Sequence, residues 1–130
     1  MTSHRVIVLG LDGATWRLLR PLMEQGYMPN LKQVCETGAS GILHSTVPPF
    51  TAPAWVSCIT GVNPGKHGIF GFTWSDNGLS ERRLINSRLI KAPKIWHYLE
   101  KVGKSAGMIN VPVTYPVEKI DGFMIPCFLT

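Results

Sequence analysis

The sequence is short of charged residues, of paired cysteines and of long apolar runs. Charged side chains make up 16% and hydrophobic ones 45% of the 130 residues, which excludes intrinsic disorder and indicates a buried core. Cys35, Cys58 and Cys127 form no CxxC or CxxH pair, which excludes a zinc knuckle, and their odd number gives no disulfide framework. No signal peptide or transmembrane segment is predicted, because the first apolar run stops at Asp12. We therefore expect a cytoplasmic protein with reduced thiols.

The length and the charge distribution limit the number of domains and the kinds of binding partner. At 130 residues the chain is long enough for at most one domain. Its net charge of +5 is modest, but the basic residues crowd into one region. They are Arg82, Arg83, Arg88, Lys91, Lys94, Lys101 and Lys104. Such a cluster could meet an anionic substrate or a nucleic acid, but a solvated face is commoner, and we expect no nucleic-acid partner.

Apolar segments alternate with helical patterns along the chain. The predicted strands cover residues 5–11, 40–46, 105–110 and 122–126, and the predicted helices cover residues 15–25, 29–38, 53–60 and 93–102. Pro21 is expected to break the first helix. The buried face of the last helix is predicted to carry Ile95, Trp96, Leu99 and Val102. This alternation predicts a parallel sheet and an α/β fold, while residues 70–92 predict a hairpin with a turn at residues 75–78.

The stretch from Val47 to Gly61 holds the main candidate for chemistry, Thr51. Pro53 suits the first turn of a helix, and Thr51 would stand at or just before the N-cap of that helix. A helix start can bind an anion, so the Thr51 hydroxyl could be a nucleophile toward a bound phosphate. It could equally be a helix cap. Because capping threonines far outnumber nucleophilic ones, the spacing alone favours the cap.

Two further side chains are candidates for a site. Asp12 follows the first predicted strand, and the carboxyl ends of strands hold the ligands of open α/β sheets. Asp12 is therefore a candidate metal ligand, with an Asx turn or a helix cap as the alternative. His67 stands in a turn-rich connector without a second ligand nearby in the sequence, and such a lone histidine is more often structural.

Five short motifs occur in a fixed order along the chain. They are Val8-Leu-Gly-Leu-Asp12-Gly13, Thr51-Ala-Pro-Ala-Trp55, Thr60-Gly61, Pro64-Gly-Lys-His67-Gly68-Ile69 and Asn110-Val-Pro-Val-Thr-Tyr-Pro116. Each motif is weak alone, but the ordered set resembles the type I phosphodiesterase/nucleotide pyrophosphatase family of the alkaline phosphatase superfamily. The resemblance covers essentially the whole chain. It is closest to the prokaryotic branch described as phosphohydrolase or phosphomutase.

This resemblance implies a site with two divalent metal ions, usually zinc with manganese as the alternative. Those ions lie at the carboxyl edge of a parallel sheet in an α/β sandwich. Asp12 matches a metal ligand of the family. Thr51 matches the nucleophile, which also bridges to the same metal. Coordination would activate the hydroxyl, a second ion would stabilise the leaving oxygen, and water would hydrolyse the phosphothreonine.

The sequence departs from the family pattern at two points. Nucleotide pyrophosphatases have Asn at the third residue after the nucleophile, whereas this chain has Ala54, which puts nucleotide specificity in doubt. The family also has an adjacent Asp-His pair among its later metal ligands, and no Asp of this chain is followed by His. Because each ion needs about three protein ligands, we expect the remaining ligands to lie outside this chain.

The sequence therefore predicts a truncated α/β sandwich of the alkaline phosphatase type. Residues 1–130 would form the N-terminal part of a single catalytic domain. The predicted function is metal-dependent hydrolysis of a small phosphate ester, with Thr51 as nucleophile and Asp12 and Thr51 on the metal. We expect the chain to be inactive by itself. The alternatives are a phosphomutase of the same superfamily and a non-catalytic α/β module that binds anions.

Overall fold

The computed structural model describes residues 5–75 and 82–127. The chain divides into two compact units, Met1–His44 and Ser45–Thr130, and each is described by itself. The second unit holds the strands that the structure describes and a hydrophobic core cluster that includes Ala52 and Val56.

The first unit consists of two helices, α1 (Trp16–Glu24) and α2 (Pro29–Thr37). Thr15 caps α1 by accepting a hydrogen bond from the Arg17 amide, and Pro29 starts α2 with the fixed φ that suits a first turn. The predicted break at Pro21 is wrong, because α1 runs continuously through it. Pro21 cannot donate a helical hydrogen bond and its ring crowds the preceding turn, but the following turn still closes, because the Gln25 amide donates to the Pro21 carbonyl at 3.0 Å.

The strands predicted at residues 5–11 and 40–46 are not formed. The structure assigns no strand to either segment, and the side chains of Val6 to Leu9 are 80% to 93% exposed. A strand requires a hydrogen-bonded neighbour, and no segment within residues 5–75 and 82–127 pairs with these two. Apolar β-branched sequence alone was therefore insufficient to make a strand here.

The second unit opens with α3 (Thr51–Thr60) and α4 (Pro64–His67). A hairpin follows, in which β1 (Thr73–Trp74) pairs antiparallel with β2 (Arg83–Leu84), so the predicted hairpin is confirmed. Three of the four residues of its predicted turn, 76–78, lie outside the described part of the chain. A short 3-10 helix (Ser87–Leu89) leads to α5 (Ile95–Lys101).

The unit closes with β3 (Ala106–Val111) and β4 (Gly122–Pro126), which pair in parallel from Ala106 opposite Gly122 to Val111 opposite Pro126. Both strands were predicted within one residue of their bounds. A parallel pair needs a long crossover between its strands, here residues 112–121. The α/β prediction is therefore met by the elements of this unit.

The hydrophobic core of the second unit is built around α3. Ala52 and Val56 on that helix cluster with three buried residues from later segments, Ile69, Ile90 and Val113. The residues of this cluster lie up to 61 positions apart in the sequence, from Ala52 to Val113. Segments from much of the second unit therefore pack against the buried side of α3. None of the helices within the described residues is long and apolar enough to cross a membrane.

Candidate active site on helix α3

Thr51 is the first residue of α3. Phe50 takes the N-cap position with extended backbone angles, φ −109° and ψ 157°, and makes no side-chain cap hydrogen bond. The helix thus starts two residues before the predicted Pro53, and Thr51 does not hold the cap position that its spacing favoured. Thr51 is half-buried at an end where backbone N–H groups and a partial positive charge accumulate. A hydroxyl in this place can face a bound anion.

Helix α3 is held rigidly at its far end and along its inner face. Gly61 ends it in the left-handed region, φ 69°, and its amide donates to the Ser57 carbonyl at 2.8 Å. The Thr60 hydroxyl donates to the Val56 carbonyl at 2.6 Å. Ala52 and Val56 are fully buried, so the first and second turns of the helix are fixed by core packing.

His67, at the end of α4, binds α3 directly. Its Nε2 lies 2.9 Å from the Ser57 hydroxyl, and its Nδ1 accepts a hydrogen bond from the Ile69 amide at 3.1 Å. Burial lowers the pKa of His67 below its ordinary value, against the opposing effect of the Pro53 carbonyl. The ring is therefore neutral and buried, as the structural interpretation of a lone histidine required.

A loop after β3 supports the first turn of α3 from another direction. Val113 has φ 63° and is buried in the same cluster as Ala52. A β-branched residue rarely adopts this conformation, and it persists only where its surroundings enforce it. Ser87 provides part of that restraint, because its amide donates to the Tyr115 carbonyl at 2.7 Å and its hydroxyl donates to the Pro116 carbonyl at 2.5 Å.

A polar network on α5 was missed by the sequence analysis. Glu118 accepts hydrogen bonds from Lys94 Nζ, from Trp96 Nε1 at 3.0 Å and from His97 Nε2 at 2.8 Å. Burial alone would raise the pKa of Glu118, but the hydrogen bonds from Lys94, Trp96 and His97 and the charge of Lys94 together lower it. Lys94 is buried, so the expectation that the basic cluster is a solvated face is wrong at this position.

The predicted buried face of α5 is correct only in part. Trp96 is 2% exposed, but Ile95 is 46% and Val102 is 68% exposed. The periodicity predicted that apolar side chains alone form the buried face of α5. In the structure the charged side chain of Lys94 is buried together with Trp96, while Ile95 and Val102 are exposed. No sequence signal pointed to Glu118 as the partner, because it lies 24 positions after Lys94.

The two predicted metal ligands lie in different units of the structure. Asp12 occupies an exposed turn before α1 in the first unit, and Thr51 starts α3 in the second. Both supply oxygen atoms, the donor type that suits a divalent cation. Within residues 5–75 and 82–127, no three His, Cys, Asp or Glu side chains come together at a metal site. The described residues therefore do not complete a metal site, and the joint role of Asp12 and Thr51 stays a prediction.

Comparison with known proteins assigns the chain to a family. The profile of type I phosphodiesterase / nucleotide pyrophosphatase matches residues 6–126. The chain belongs to this family, which confirms the resemblance found in its motifs.

Solved structures support the same assignment. Phosphonoacetate hydrolase from Sinorhizobium meliloti 1021 in complex with phosphonoacetate is 29% identical, with a TM-score of 0.67 over 75% of this chain and 24% of that one. The same enzyme in complex with phosphonoformate gives 24% identity and a TM-score of 0.75 over 88% of this chain and 30% of that one. The α/β fold of the alkaline phosphatase type is thereby confirmed. This chain spans less than a third of the length of that enzyme.

Proposed function

We propose that this chain carries the nucleophile of a metal-dependent hydrolase of phosphoric esters, and that Thr51 is this nucleophile. One observation carries the proposal: Thr51 is the first residue of α3 and not its N-cap, in a chain of the type I phosphodiesterase family. The cap interpretation, which the spacing favoured, loses its main support because Phe50 takes that position.

The first turn of α3 supplies the environment that such a reaction needs. Thr51 Oγ1 gives up its proton and attacks phosphorus, a new P–O bond forms, and the bond from phosphorus to the ester oxygen breaks, so that the leaving alcohol takes up one proton and none is gained or lost overall. Water then cleaves the phosphothreonine, releases phosphate and restores the hydroxyl. The positive end of α3 faces the negative charge that develops on the phosphoryl oxygens.

Metal ions would supply the activation that a threonine hydroxyl lacks at neutral pH. A bound divalent cation favours the alkoxide form of a coordinated hydroxyl. Asp12 and Thr51 are the residues of this chain that would hold it, with zinc as the first choice and manganese as the alternative. The further ligands needed for two ions are proposed to come from outside this chain.

The substrate is proposed to be a small anionic phosphorus compound acted on in the cytoplasm. The similar enzyme from Sinorhizobium meliloti is a phosphonoacetate hydrolase in complex with phosphonates. Ala54 stands where nucleotide pyrophosphatases have Asn, so a small ester or phosphonate suits this chain better than a nucleotide. Phosphate monoesters and phosphodiesters are therefore the compounds to test first, and phosphonoacetate is the comparison in which a P–C bond would break and the carbon would take up the proton.

The test compares Thr51→Ala and Thr51→Ser in the whole protein that contains this chain. We expect Thr51→Ala to abolish turnover of a p-nitrophenyl phosphate ester and Thr51→Ser to retain part of it. The free energy of unfolding should fall by no more than about 1 kcal/mol, the scale of losing one hydroxyl at a helix start. Mass spectrometry of the quenched reaction should find phosphate on Thr51.

The matched control is Thr37→Ala, which removes a hydroxyl from the exposed end of α2. It should leave turnover unchanged. Full activity of Thr51→Ala would overturn the nucleophile assignment, whatever the unfolding data show.

A further inference from the structure

We infer that His67 is a positioning residue of the proposed site, which fixes α3 and thereby Thr51. The inference rests on the proposed function, since it concerns the same nucleophile. Its basis is a pair of hydrogen bonds that the buried imidazole makes with two different parts of the second unit.

The hydrogen-bond pattern defines the tautomer of His67. The Ile69 amide donates to Nδ1, so Nδ1 carries no hydrogen and the proton of the neutral ring lies on Nε2. Nε2 therefore donates toward α3, where the Ser57 hydroxyl lies at 2.9 Å, and the nearby Pro53 carbonyl opposes the lowering of the ring's pKa. Pro53 lies two residues after Thr51, so the ring acts on the turn that carries the nucleophile.

The backbone around His67 is itself restrained, so the ring cannot simply follow a displaced helix. The Gly68 amide donates to the Pro64 carbonyl at 2.8 Å, and the Lys91 amide donates to the His67 carbonyl at 3.0 Å. Ile69 is buried in the core cluster with Ala52. Because the backbone of His67 is held in place, the hydrogen bond from its ring to Ser57 fixes the position of α3.

Burial excludes direct contact between His67 and a substrate. Its relative exposure is 0%, and both ring nitrogens are occupied by protein groups. The desolvation that accompanies burial lowers the pKa of His67, and the hydrogen bond from the Ile69 amide keeps Nδ1 as the acceptor. Its contribution to the reaction is therefore geometric. A displacement of about 1 Å at a reacting group can cost roughly a hundredfold in rate.

The experiment uses two substitutions that each keep one of the two hydrogen bonds. His67→Asn places an amide oxygen near the position of Nδ1 and can still accept from Ile69, but it loses the bond to α3. His67→Gln reaches toward the position of Nε2 and can still donate to Ser57, but it loses the Ile69 bond. The whole protein that contains this chain is assayed with a p-nitrophenyl phosphate ester, and the free energy of unfolding is measured for each variant.

We expect His67→Asn to lower kcat about tenfold to a hundredfold with KM within about twofold, and His67→Gln to recover most of the loss. Ser57→Ala, at a half-buried position, should lower kcat by a smaller factor, since the imidazole itself and its hydrogen bond with the Ile69 amide remain in place. If His67→Asn does not fold, Ser57→Ala decides the question through kcat and through shifts of the Thr51 and Ala52 amide resonances.

The inference and the proposed function fail on different outcomes. Equal losses of kcat in His67→Asn and His67→Gln that track the free energy of unfolding would show that His67 acts only through packing, and would overturn the inference. Unchanged kcat in His67→Asn, or unchanged kcat and amide resonances in Ser57→Ala, beside an inactive Thr51→Ala would overturn the inference and leave the proposed function intact. An active Thr51→Ala would overturn the proposed function instead.

Discussion

Replacement of Glu118 by Gln tests whether the network on α5 stabilises the second unit. Three donors converge on the two carboxylate oxygens: Lys94 Nζ on Oε1, and Trp96 Nε1 and His97 Nε2 on Oε2. Glutamine keeps the volume but has one acceptor oxygen, so its NH2 group must face at least one donor. If that donor is Lys94, whose side chain is 7% exposed, a buried ammonium loses its partner.

The expected cost follows from the burial of the two partners. Breaking a fully buried pair by removing one member costs about 3–5 kcal/mol, and an exposed pair contributes about 0–1 kcal/mol. Lys94 is buried, but Glu118 is 28% exposed, so solvent screens part of the interaction. We therefore expect Glu118→Gln to lower the free energy of unfolding by about 2–3 kcal/mol. In a Lys94→Met background the same change should cost only about 1 kcal/mol.

Urea denaturation followed by circular dichroism measures these differences in the 130-residue chain. The matched control is Glu36→Gln, because the Lys32–Glu36 pair is exposed on both sides and 3.9 Å apart. That change should stay within about 0.5 kcal/mol. A Glu118→Gln effect no larger than the Glu36→Gln effect would refute the reasoning, as would an undiminished effect in the Lys94→Met background.

Three further predictions concern the same unit and the chain as a whole. The pKa of His67 in the folded state lies below its ordinary value of 6.5, so neutral His67 contributes fully to the free energy of unfolding above about pH 6.5, and this contribution is lost as pH falls through the folded-state pKa. The urea midpoint should therefore decrease as pH is lowered from about 8 to about 5, and His67→Gln should weaken this dependence on pH. Gly122→Ala should cost more than about 3 kcal/mol, because φ is 134° and a Cβ would lie 2.0 Å from the Ala106 carbonyl oxygen, whereas Gly41→Ala meets nothing within 4 Å and should stay within about 0.5 kcal/mol. The 130-residue chain by itself should not hydrolyse p-nitrophenyl phosphate esters even with zinc or manganese added, and zinc-dependent hydrolysis that Thr51→Ala removes would show that the chain holds more of the site than we propose.

The sequence by itself determined the features that depend on local chemistry. Pro29 and Gly61 marked helix boundaries because a fixed φ suits a first turn and a left-handed residue ends a helix. The parallel strands β3 and β4 and the family motifs, with Thr51 and His67 among them, could also be read from residue types and spacing. The helix boundaries and motifs depend on residues close to each other in the chain, whereas the same apolar pattern that predicted β3 and β4 formed no strand at residues 5–11 and 40–46.

Only the tertiary structure decided which polar side chains are buried and which neighbours they meet. Ser57 and Glu118 gave no signal in the sequence, because their partners His67 and Lys94 lie 10 and 24 positions away. The failed strand at residues 5–11 has the same cause, since a strand exists only where another segment supplies its hydrogen bonds. The left-handed conformation of Val113 likewise depends on its packing in a core built from distant segments, which local propensity cannot fix.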